Sequence, residues 1–147
     1  MGFIEDLQNV KTETENKNEN VVMEILKHFR TQINSTKFED RLKKRLTDSI
    51  KDNKRETRLE IEFWDYHDGC SATNFYASCC DTWELAYGEH YYNGVRLTDV
   101  SKEVVNHHLL PMFIDKLREL GLTYRIEEYG GRLGYPHWIV YVDLTKI

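Results

Sequence analysis

With only 2 prolines and 3 cysteines in 147 residues, the chain has little to interrupt its helices and little to cross-link its fold. The cysteines, Cys70, Cys79 and Cys80, are odd in number and two are adjacent, a poor disulfide framework. Stability must come from a packed core. A single domain of this length buries about two-thirds of its unfolded surface, enough to dispense with covalent staples. No apolar run approaches the ~20 residues of a membrane-spanning helix. Glu5 and Asp6 stand where a signal peptide needs basic and then apolar residues, and Asp6 occupies the Ser/Thr position of a myristoylation signal. A reduced, cytoplasmic protein without a membrane partner is expected.

Nucleotide and calcium motifs are missing too. Gly130, Gly131 and Gly134 surround Arg132, but they lie between two strand patterns, whereas a phosphate loop runs strand, loop, helix. Asp65 and Asp68 lack the register of an EF-hand loop. No motif identifies a family.

The most informative lack is local. Residues 59–92 contain no Lys or Arg against seven carboxylates, while residues 37–58 carry nine basic side chains against five acidic ones. The overall charge of −5 therefore hides a +4 segment followed directly by a −7 segment. Such a pair either lies face to face or presents two surfaces to two partners.

Periodicity organises the rest. Residues 1–20 read as a flexible polar leader, because QNVKTETENKNEN (8–20) offers too little apolar area to offset ordering entropy. Residues 21–147 read as one α+β domain. Val21, Ile25, Phe29 and Ile33 form one helical stripe, and Phe38, Leu42, Leu46 and Ile50 form another. Asn34 and Ser35 end the first helix, Thr36 and Glu39 have capping-box spacing for the second, and together they make a helical hairpin.

From Arg58 the period drops to two. Leu59, Ile61 and Phe63 alternate with Glu60 and Glu62, and Asp68-Gly69 marks a hairpin turn before a return strand at 73–79. Trp83 and Leu85, then Val95 and Leu97 after the Asn93-Gly94 turn, continue what reads as a meander. A long helix with apolar positions from Val104 to Leu120 follows, kinked at Pro111 and stopped at Gly121. Residues 122–127 and 138–144 supply closing strands, for an antiparallel sheet of about four to six strands.

The candidate chemistry lies in the acidic segment. His67 and Cys70 flank the Asp68-Gly69 turn, and Cys80 and His90 would complete a tetrahedral zinc set, since zinc favours thiolate and imidazole. No C-x2-C or H-x3-5-H pair supports that set. The expectation is no cofactor, with zinc at these four residues, in a hydrolase-like domain, as the alternative. A cysteine nucleophile would need an electropositive surrounding, which a segment without Lys or Arg does not offer. Glu60 and Glu62 read as the solvated face of a strand rather than as an acid pair.

What remains is a cluster of rings among carboxylates. Trp64, Asp65, Tyr66, Asp68, Tyr76, Trp83, Glu89, Tyr91 and Tyr92 are the expected partner-binding residues, because adjacent rings such as Tyr91 and Tyr92 cannot both point inward. An acidic aromatic surface suits a basic protein partner. The functional expectation is a non-enzymatic inhibitor or adaptor, of the kind found among phage or mobile-element accessory proteins. Nucleic-acid binding through the basic helix 37–58 is a further alternative.

Overall fold

The computed structural model describes residues 2–65, 72–130 and 134–147. The expected Asp68-Gly69 turn, and with it Tyr66, His67, Asp68 and Cys70, lies outside the described residues, as does Arg132. Two helices, α1 (Phe3–Ile33) and α2 (Thr36–Lys51), precede the strands β1 (Glu56–Trp64), β2 (Thr73–Ala77) and β3 (Trp83–Leu85). A two-stranded hairpin, β4 (Tyr91–Tyr92) and β5 (Val95–Arg96), leads into α3 (Leu97–Lys102), a π-helical turn (Glu103–Leu109) and α4 (Leu110–Glu119). The strands β6 (Tyr124–Glu128) and β7 (His137–Asp143) end the sheet. Its antiparallel order is β3-β2-β1-β7-β6, with helices on one side: an α+β fold.

The helical stripe does what its spacing implies. Val21, Val22, Ile25, Leu26, Phe29 and Ile33 are all buried. Residues 3–20, however, are helical rather than an irregular leader, although almost all their side chains are exposed. Nucleation is the costly step of helix formation, and the anchored turns from Val21 onward already provide it. Glu, Lys and Gln then extend the helix outward at little cost. The core itself still starts at Val21.

Local signals shift slightly elsewhere. Ser35, not Thr36, caps α2, its hydroxyl accepting the Phe38 N–H at 3.3 Å. No side chain caps α3, which begins at Leu97, ahead of the first apolar position of the expected helix, Val104. The irregularity of the long helix falls just before Pro111. The Leu110 N–H reaches back five residues to the Val105 carbonyl, and this wider turn delivers Pro111 into the first turn of α4, where its missing N–H is no loss. Gly121, at φ +80°, stops α4, with the Leu122 N–H donating to the Leu117 carbonyl.

One sheet face makes the core. Leu59, Ile61 and Phe63 of β1, Phe75 and Ala77 of β2, and Val140 and Val142 of β7 join Phe29, Phe38, Leu109 and Phe113 of the helices in a single buried cluster. Trp138, on the same face, donates its indole N–H to Asn106 Oδ1 of the π-helical turn at 2.7 Å. Because side chains alternate along a strand, Arg58, Glu60, Glu62 and Trp64 project to the other face. Ile139 also projects there; it is buried but stands outside the helix-packed cluster.

Among the described residues the basic and acidic segments meet around Asp81 and where Arg58 pairs with Glu60. Arg41 and Lys37 of α2 pair with Asp81 at 3.0 and 3.6 Å, and His28 of α1 contacts the Asp81 carbonyl. The Arg41 bond, with Lys37 nearby, holds the exposed Asp81 carboxyl below its ordinary range. Much of the +4 charge of the second helix region is therefore not engaged by the acidic segment.

Candidate functional site

Register decides which side chains meet on the second sheet face. Glu62 of β1 lies opposite Tyr76 on one side and His137 on the other, and Glu60 lies opposite Ile139. Trp64 faces Asn74 across the β1–β2 pair. Tyr129, just past β6, donates its backbone N–H to the His137 carbonyl and rests its ring edge-on against the imidazole, centroids 5.0 Å apart. Strands β1, β2 and β7, with the residue after β6, thus gather two carboxylates, an imidazole and three further rings.

The face has two zones of different electrostatic completeness. At one end Arg125 clamps Glu56 with two bonds of 2.8 and 3.1 Å, touches Glu127 at 3.2 Å and stacks over the Tyr141 ring at 3.9 Å. Each charge there has an opposite neighbour. At the other end His137 Nε2 lies 3.3 Å from Glu60 Oε2, and Nδ1 lies 3.3 Å from Glu62 Oε2. Glu60 turns its other oxygen to Arg58 Nε at 2.9 Å. Glu62 is only 3% exposed, and its Oε1 has no hydrogen-bond partner; nor do His137 Nε2 and Asn74 Oδ1. Burial, reinforced by the Glu60 charge, pushes the Glu62 carboxyl up to about 7, against weaker opposition from Trp64 and Arg58.

Above this cluster the rings of Trp64 and Tyr76 stack almost flat, 7° apart with centroids at 6.0 Å, and Trp64 remains 38% exposed. Tyr129 is exposed as well. Glu84 of β3, opposite Asn74, extends the acidic character of this face.

The expected partner-binding residues do not form one surface. Trp64 and Tyr76 lie on the second face, whereas Trp83 packs edge-on against Phe75 and Tyr92 at the rim of the core. Tyr91 is 62% exposed and Glu89 is exposed, both near the β4–β5 hairpin. Asp65 is no surface group. It is 1% exposed, contacts His90 Nδ1 at 2.7 Å, and accepts from the hydroxyls of Thr73 at 3.2 Å and Tyr135 at 3.3 Å. The alternation that sends Trp64 outward sends Asp65 inward, against the start of β2.

The expected zinc set is also divided. His90 contacts Thr73 at the start of β2, whereas Cys80 follows its last residue, Ala77. A strand of that length separates them by about 13 Å, too far to share one ion. Burial, with Cys79 adjacent, pushes the Cys80 thiol up to about 12, and burial raises Cys79 too. Neither resembles an activated thiol, although for a different reason than the missing basic residues: α2 brings Arg41 and Arg45 close, and burial outweighs them. Among the described residues the one group with metal-ligand spacing is Glu60, Glu62 and His137, of which alternation alone had assigned the two glutamates to a wet strand face.

On α2 and the start of β1, Arg45, Lys54, Arg55 and Arg58 line a cleft of about 620 Å³ with Asp48, Glu56 and Tyr141. Among the described residues no helix is long and apolar enough to cross a membrane. No family model matches the chain, and no curated protein or solved structure matches it significantly.

Proposed function

We propose that this chain is a non-enzymatic binding module, an inhibitor or adaptor, whose second sheet face engages a basic protein. The observation that carries this reading is the exposed Trp64 lying flat on Tyr76, on a sheet face turned away from the helix-packed core. Large rings held rigidly at a surface contribute most of the energy in many interfaces, because they bring area at little entropic cost. Glu60, Glu84 and Glu127 surround them on the same face. A Lys- or Arg-rich partner would find both a stacking platform and opposite charge there. Work in the cytoplasm as a phage or mobile-element accessory protein fits the composition and belongs to the same proposal.

The test compares wild-type protein with a Trp64→Ala/Tyr129→Ala variant as immobilised bait in extract of the protein's own cells. Both rings are at least partly solvent-facing, so the variant is expected to fold. Wild type should retain a basic protein that salt elutes, and the variant should lose it at least tenfold. Equal retention by both baits, or retention of no basic protein by wild type, contradicts the proposal. A second reading follows from the Arg45, Lys54, Arg55 and Arg58 cleft, where Lys54 and Arg55 have no ion pair among the described residues. A polyanion such as nucleic acid would bind there with a steep salt dependence, abolished by Lys54→Glu/Arg55→Glu.

A further inference from the structure

We propose that Glu60, Glu62 and His137 form a binding site for one divalent transition-metal ion of the zinc class. The proposal does not depend on any macromolecular partner. One donor atom from each residue lies within 4.8 Å of the other two. A tetrahedral zinc ion with bonds of about 2.0–2.1 Å holds its ligands about 3.4 Å apart. The imidazole already stands 3.3 Å from a carboxylate oxygen on each side. These contacts use opposite ring nitrogens, so an ion on Nε2 finds the Glu60 oxygen in place and needs the Glu62 carboxylate to close in from within 4.8 Å.

A second observation is independent of spacing. Buried polar atoms are nearly always satisfied, yet Glu62 Oε1 and His137 Nε2 have no hydrogen-bond partner within the same cluster. The ionised Glu62 oxygen offers a lone pair, as does His137 Nε2 in the tautomer that carries its proton on Nδ1, and a lone pair is what a cation takes up. Charge leads to the same conclusion. Glu60 has Arg58 on its outer oxygen, but the almost fully buried Glu62 has no cation of its own, and a divalent ion would offset the cost of ionising it there. Arg58, bonded to Glu60 Oε1, would hold that carboxylate with its other oxygen toward the ion, as outer partners of metal ligands commonly do.

Imidazole with two carboxylates suits zinc and its first-row neighbours better than calcium, which takes six to eight oxygens, or magnesium, which keeps most of its waters. Three protein ligands leave a fourth position for water or for a donor group from a bound molecule. Tyr129 packs against His137, and Tyr76, stacked on Trp64, lies opposite Glu62, so rings border the cluster itself.

The test is zinc titration by calorimetry of the full chain, first stripped with chelator, together with the visible spectrum of the cobalt-loaded protein. One ion per chain is expected, with a thermal midpoint raised by zinc. Glu60→Gln and His137→Ala should each weaken binding at least tenfold, while Asp99→Asn, exposed in the first turn of α3, should not change it. Cobalt should give a tetrahedral or five-coordinate spectrum without thiolate-to-metal charge transfer. Glu60 is partly exposed, so its variant keeps the test valid should His137→Ala fail to fold. No zinc binding, unchanged affinity in Glu60→Gln, or a thiolate-type cobalt spectrum would each overturn the proposal.

Discussion

Replacing Asp65 with alanine is expected to cost about 3 kcal/mol of folding stability, read as a lower urea midpoint with an unchanged slope. The carboxylate is 1% exposed and holds three side chains from three places in the chain: Thr73 of β2, His90 before β4, and Tyr135 before β7. Its removal takes the Asp65 carboxylate from a half-buried imidazole and from two hydroxyls at once, the costly case for a polar network. Asp65→Asn, which keeps the shape and one acceptor, should lose less. A surface contact would behave in the opposite way, with binding lost and stability kept. A change below about 0.5 kcal/mol, the range of ordinary surface substitutions, would show that the network does not hold these elements together.

The metal-free protein is expected to lose stability as pH rises from 5 to 8. Glu62 has a folded pKa of about 7 against an ordinary 4.5, so between those values the folded state holds a proton that the unfolded chain has released. Below about 4.5 both states are protonated and the group contributes nothing; above 7 the full cost of the buried charge is present. The shift corresponds to a loss on the order of 3 kcal/mol. The groups facing Glu62 are Glu60 and Arg58 on its own strand and His137 on β7, with uncharged Tyr76 and Asn74 on β2. Asp81, Glu56 and Asp143 have lowered pKa values, so their contributions vanish only at acid pH, below this window. In Glu62→Gln the slope should flatten and the variant should be the more stable protein at pH 8. Denaturation in chelator at several pH values measures this directly, and parallel curves for the two proteins would contradict it.

The sequence displayed those parts of the fold that arise from near neighbours. The stripe Val21, Ile25, Phe29, Ile33 and the alternation Leu59, Ile61, Phe63 each report a buried face within a few residues, and both faces are buried. Alternation also told that Glu60 and Glu62 share a face. It could not tell what lies across from them. His137 reaches Glu62 only through the register of β1 with β7, a pairing between distant parts of the chain. For the same reason Asp65 read as a surface carboxylate and Cys80 and His90 as companions. Spacing along the chain is a poor guide to spacing across a sheet. The long exposed start of α1 failed differently: composition reports whether a segment can bury area, not whether a neighbouring helix will extend through it.

The sheet has one face committed to the core and another, outside the helix-packed cluster, that we propose is used for binding. Site-specific photo-crosslinking in the protein's own cells tests that division most directly. A photoreactive side chain would be placed singly at Glu84 and Glu127 on the second face, and at Lys11 of α1 and Lys102 of α3 on the helical side. The expected result is one basic protein captured from both sheet positions and from neither control. Capture from Lys11 or Lys102 alone, or no capture from the sheet positions, would contradict it.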